Sequence, residues 1–139
     1  MFSHITVGCS DMKKTCRFYD AVLLSLGLQR RVVEPDGGPL ASCWVTSIAP
    51  LPRFYVYLPF DGKPATTGNG AMTAFLAPLP EIVDAAYAAG LANGGVSEGA
   101  PGPRPQYGDG YYGAYIRDPD GNKLHIVFRG DMNIHHSTE

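Results

Sequence analysis

Between Phe2 and Cys9 polar and apolar positions alternate, with Ile5, Val7 and Cys9 on one face and His4, Thr6 and Gly8 on the other. Period two over this length predicts a half-buried strand. Ser10-Asp11 then offer an N-cap, and Met12, Cys16, Tyr19, Leu23 and Leu26 recur at helical spacing. With Gly27 placed where a helix end takes a left-handed residue, a helix is predicted over residues 11–26. Three strand-like runs follow at residues 28–34, 41–47 and 53–58, separated by turn formers. Residues 59–70, polar and rich in proline and glycine, read as a connection. The order then repeats. Residues 71–77 are strand-like, and Pro80 opens a helix whose stripe is Ile82, Val83, Ala86, Tyr87 and Leu91, closed by Gly94-Gly95. A short strand near residues 96–98, a proline-rich loop over residues 100–108, and strands at residues 111–117 and 123–129 complete the half. Asp118-Pro119-Asp120-Gly121-Asn122 supplies the last turn, and residues 131–139 form a polar tail.

The pattern is strand–helix–strand–strand–strand, written twice. Its seventeen glycines and twelve prolines gather at the joints rather than marking disorder, and residues 99–110, the richest cluster, read as a mobile lid. Each half, at roughly 60 residues, is marginal for burying a core alone, so the halves must pack together or against a second chain. Net charge is −2 with no run of Lys or Arg, which argues against nucleic acid as a partner. No apolar stretch is long enough to span a bilayer, and no leader-like segment precedes the first strand. Cys9, Cys16 and Cys43 have no paired spacing and read as buried thiols of a reducing cytoplasm.

Three segments in this order carry a resemblance: Phe2-Ser3-His4-Ile5-Thr6-Val7; then Arg17-Phe18-Tyr19-Asp20 with Leu26-Gly27-Leu28; then residues 115–125, spanning the Asp118–Asn122 turn to His125. Over residues 2–129 the chain resembles the vicinal oxygen chelate superfamily, which includes glyoxalase I, bleomycin-resistance proteins and extradiol dioxygenases. The resemblance implies an α+β fold of two paired βαβββ modules curling a mixed sheet around a cavity. Module one would span residues 1–58, the linker residues 59–70 and module two residues 71–130. It also implies a homodimer and, in the enzymes, a divalent metal (Zn, Ni, Mn or Fe) acting as a Lewis acid in the cavity.

Carried over residue by residue, the family's first histidine falls on His4, which alternation independently sets opposite Ile5 and Val7. The last strand of module one offers Tyr55 and Tyr57 and no carboxylate. The second-module histidine position holds Met72, a weak thioether ligand. The usual glutamate of the last strand is His125, facing away from Leu124, Ile126 and Phe128. His4 and His125 are therefore the candidate metal ligands or acid–base residues. His135 and His136 fall in the tail. Two good donors are fewer than the three protein ligands of a catalytic zinc site, and the carboxylate of a non-haem iron site or of a glyoxalase base is missing, with Glu98 the nearest acid. Tyr55, Tyr57, Met72, Arg104, Tyr111 and Tyr115 are the candidate binding residues: ring faces with hydroxyl handles, and an arginine able to hold a carboxylate or phosphate. Two readings remain open: a lactoylglutathione-lyase-like enzyme with a degenerate metal site, or a metal-free binding protein for an aromatic or amphipathic small molecule of the antibiotic type. A ring-cleaving dioxygenase is weaker than either.

Overall fold

The structure, a computed structural model, describes residues 1–132. Its elements run β1 (His4–Gly8), α1 (Met12–Ser25), β2 (Leu28–Arg31), β3 (Ala41–Thr46), β4 (Arg53–Tyr57), β5 (Thr73–Leu76), α2 (Pro80–Ala92), β6 (Val96–Pro103), β7 (Tyr111–Arg117) and β8 (Lys123–Arg129). This is βαβββ twice. The strands form two four-stranded sheets with the same order, β1-β4-β3-β2 and β5-β8-β7-β6. In each, the first strand lies parallel to the last and the other pairings are antiparallel. Within one chain the two sheets stay separate, and β1 and β5 are both open edges.

Alternation decides which face of each sheet is covered. Phe54 and Val56 of β4 and Leu124 and Ile126 of β8 are buried in one cluster with Phe18, Tyr19, Val22 and Leu23 of α1 and Val83 and Ala86 of α2. The two sheets meet directly where Phe54 and Phe75 approach edge to face at 5.2 Å. The buried stripe of α1 is broader than its spacing predicts, adding Thr15, Phe18 and Val22, because the helix packs against α2 as well as against its own sheet. Gly90 makes that approach possible: a Cβ there would stand 2.5 Å from Ile116 Cδ1 and 3.1 Å from Val22 Cγ2.

The turn that carried much of the resemblance is a structural lock between the halves. Asp118, 2 % exposed, accepts the Tyr19 hydroxyl at 2.7 Å, the Asn122 side-chain amide at 2.9 Å, and the main-chain N–H groups of Asp120 and Asn122, both at 2.9 Å. Asp120 takes the Ser10 N–H at 2.9 Å, just ahead of the α1 N-cap Asp11, and Asn122 donates to the Gly8 carbonyl at 2.9 Å. Burial pushes the Asp118 carboxyl above its ordinary range against the opposing pull of those donors.

Two sequence expectations change. The strand near residues 96–98 continues to Pro103, pairing Gly99 with Tyr115, Gly102 with Gly113 and Pro103 with Tyr112, with register shifts between them. The first half of the expected lid is therefore an irregular edge strand, and a 3-10 turn at Pro105–Tyr107 follows it. The strands expected at residues 2–9, 28–34 and 71–77 are shorter, since only His4–Gly8, Leu28–Arg31 and Thr73–Leu76 find partners. Tail residues 133–139, with His135 and His136, lie outside the described residues. No helix among the described residues is long and apolar enough to cross a membrane.

Candidate functional site

The strand positions opposite the shared core form two outer faces, one per module. On module one, His4, Tyr55 and Tyr57 share a face by register and parity. The His4 ring meets Tyr55 edge-on at 5.3 Å, and Tyr55 and Tyr57 stand 5.9 Å apart. His4 is exposed, and its Nδ1 lies 3.0 Å from Ser3 Oγ.

The module-two face is packed. His125 is 2 % exposed and stacks on Tyr115 with ring centres 4.1 Å apart and planes 12° from parallel. Tyr111 lies on its other neighbour position at 5.8 Å, and Tyr107 extends the series 5.2 Å beyond Tyr111. Gly113 sits between Tyr111 and Tyr115 on β7, and its missing Cβ is the slot for the imidazole: a methyl there would fall 2.6 Å from His125 Cε1. The hydrogen bonds fix the tautomer. A carbonyl only accepts, so His125 Nδ1–H donates to Ala114 O at 2.9 Å, and the neutral ring's Nε2 accepts the Tyr111 hydroxyl at 2.8 Å. Burial drives the His125 pKa down from 6.5, and the cations Arg104, Lys123 and Arg129 push it the same way; the bond to Ala114 opposes them. The Tyr115 hydroxyl is pushed up, first by burial.

Cations frame these rings. Lys123 Nζ lies 5.1 Å and Arg104 Cζ 5.9 Å from the Tyr115 ring centre, and Arg129 Cζ lies 5.3 Å from that of Tyr111. Arg104 also staples the irregular strand, donating from Nη1 to Gly102 O (3.0 Å) and Pro103 O (3.2 Å) and from Nη2 to Ala100 O (3.0 Å). Glu98 is held 3.4 Å from Arg117. Met72, 46 % exposed, precedes β5 on the parity of the outer face and borders a cavity of about 460 Å³ with residues 67–71, Arg117 and Lys123.

The structure thus brings His125, Tyr111, Tyr115 and Arg104 together, and His4, Tyr55 and Tyr57 together, on different sheets. Gly113, Lys123 and Arg129 were not singled out from the sequence, although parity with Tyr111, Tyr115 and His125 places them on that face. Among the described residues no three His, Cys, Asp or Glu side chains converge. The donor set does not fit a metal centre within one chain: His4 and His125 stand on separate sheets, and His125 has one nitrogen committed to the backbone and the other to a phenol.

A family model described as Glyoxalase/Bleomycin resistance protein/Dioxygenase superfamily matches residues 1–126. No curated protein matches the chain significantly. Among solved structures, a glyoxalase/bleomycin resistance protein from Albidiferax ferrireducens T118 is 41 % identical, with a TM-score of 0.80 over 93 % of this chain and 98 % of that one. A glyoxalase-related enzyme from Fulvimarina pelagi (19 % identity, TM-score 0.66, 96 % of this chain and 95 % of that one) shares the fold. So does a lactoylglutathione lyase from Agrobacterium tumefaciens (20 % identity, TM-score 0.61, 92 % of each chain). With a family model spanning nearly all of both modules, this chain belongs to the glyoxalase/bleomycin resistance protein/dioxygenase superfamily.

Proposed function

We propose that the chain binds a small aromatic or amphipathic molecule against its outer sheet faces, as a binding protein that uses rings and hydroxyls rather than a chelated metal. The observation that carries this is His125. Its two nitrogens are spent on Ala114 O and the Tyr111 hydroxyl, and its faces lie along Tyr115 and Tyr111. A neutral imidazole so held is a packed wall of a binding surface, with the Tyr115 hydroxyl as its polar handle.

The same proposal includes a homodimer. Both core faces of a single chain contribute to one cluster, which turns the two outer faces away from each other. The open edges β1 and β5 carry exposed Ile5 and Leu76, with Phe2 and Met72 beside them. A second copy laid along these edges covers them, and brings His4, Tyr55 and Tyr57 of one chain over His125, Tyr111 and Tyr115 of the other. The three cysteines, buried and free, suit a cytoplasmic protein.

The test is the metal content of untagged protein purified without chelator, together with its thermal response to aromatic ligands. Expected are well under one equivalent of Zn, Ni, Mn or Fe and a ligand-dependent rise in Tm. Stoichiometric metal that disappears in His4→Ala would instead establish the lyase-type metal site.

A further inference from the structure

We infer that the module-two face selects an organic anion: a planar ring whose carboxylate or phosphate is seated at Lys123, beside the loop of residues 67–72. This rests on the small-molecule reading above and narrows it to one chemical class.

Charge is the first ground. Arg117, Lys123 and Arg129 occupy the outer-face positions of β7 and β8, and Arg104 lies against the same rings. Among the described residues the only carboxylate within ion-pair distance of these four is Glu98, on Arg117. The chain as a whole carries −2, so this surplus is local and is not a consequence of composition. Concentrated cation on a wall of rings draws and holds an anion more strongly than the same charges dispersed in water.

Shape is the second. The cavity of about 460 Å³ lined by residues 67–72, Arg117 and Lys123 is large enough for a small aromatic acid. It opens at the end of the aromatic series: Arg117 pairs with Lys123 across the strands, two residues along from the pair Tyr115 and His125. Lys123 belongs to both, lining the cavity with Nζ 5.1 Å from the Tyr115 ring centre. The loop that lines the cavity also carries main-chain donors. Ala71 N–H turns back to Gly68 O at 3.4 Å, while the N–H groups of Gly68, Asn69 and Gly70 have no acceptor among the described residues. A cationic head, free amides and an adjacent stack of rings are the complements of an oxyanion on a planar body.

The experiment is calorimetric titration of the untagged full chain with 1-naphthoate, 1-naphthyl phosphate and the neutral 1-naphthalenemethanol. At least one anion should bind roughly tenfold or more tightly than the alcohol, the value of one charge-assisted hydrogen bond. Lys123→Met, which keeps the aliphatic stem, should abolish that preference. Ala71→Asp, at an exposed loop position, should do the same by charge repulsion without touching the sheet. Preference for the phosphate over the carboxylate, or the reverse, identifies which oxyanion the seat fits. Equal affinity for the alcohol, or an undiminished preference in both variants, overturns the anion seat and leaves the small-molecule reading standing. No binding of any of the three overturns both.

Discussion

On module two, the outer positions of the central strand pair carry Tyr115 opposite His125 and Gly113 opposite Val127. On module one the matching positions carry Cys43 opposite Tyr55 and Ala41 opposite Tyr57. The backbone plan is the same and the outcome is not. Glycine beside two tyrosines lets an imidazole sink between rings, hydrogen-bonded at both nitrogens, and the face is finished before any ligand arrives. With Ala41 and Cys43 in those places there is no such slot. Tyr55 and Tyr57 remain half-buried and His4 exposed, its ring edge-on to Tyr55 and hydrogen-bonded at Nδ1 to Ser3. One face is pre-organised, and the other depends on whatever covers it.

The strongest way to break this contrast is to fill the slot. Gly113→Val would drive side-chain carbon into His125 Cε1, already 2.6 Å from an ideal Cβ, and the neighbour is a ring pinned from both ends. A loss of about 2–3 kcal/mol of stability is expected from such overpacking. Ala41→Val, the matching change on module one, should cost under about 1 kcal/mol. Urea denaturation of the two variants checks it, and equal losses would mean that the faces do not differ in rigidity.

How far the sequence led depends on which interaction decides each position. Strand and helix order was legible because period-two and 3.6-residue patterns record which side is buried, and parity alone separated Tyr55 and Tyr57 from Phe54 and Val56. The Asp118–Asn122 motif was legible as a turn. Its inter-module partners, Tyr19, Ser10 and Gly8, were not, because those bonds join residues about a hundred positions apart. The extension of β6 was hidden by Pro101 and Pro103, which local propensity assigns to loops; an edge strand with shifted register tolerates them. For the site, alternation put His4 and His125 on outer faces but could not show that the faces belong to separate sheets. Gly113 had no mark of its own, since a close approach shows only when the ring that makes it is placed.

A smaller effect sharpens the contrast through pH. His125 has a folded-state pKa lowered from 6.5, so the folded protein resists a proton that the unfolded chain accepts. Stability should therefore hold above that value and fall as the pH drops below it, by up to about 1.3 kcal/mol between about pH 7.5 and about pH 5.5. His125→Gln should flatten that portion of the curve, whatever it does to the absolute stability. Denaturation midpoints at the two pH values, taken for both proteins, read the difference. Parallel curves would place His125 in water-like surroundings and undo the account of the packed face.

The smallest expected effect belongs to His4. The residue is exposed, with its ring bonded to one hydroxyl and set against one ring edge, and removing these should change stability by no more than about 0.5 kcal/mol. If His4 acts only when a second copy brings it over the packed face, His4→Ala should fold like its parent and still bind an aromatic ligand several-fold more weakly, about the worth of one lost ring contact. Equilibrium denaturation and ligand titration on the same preparation separate the two quantities. A destabilised His4→Ala would show that module one's face is as structural as module two's. An unchanged affinity would confine the binding surface to module two alone.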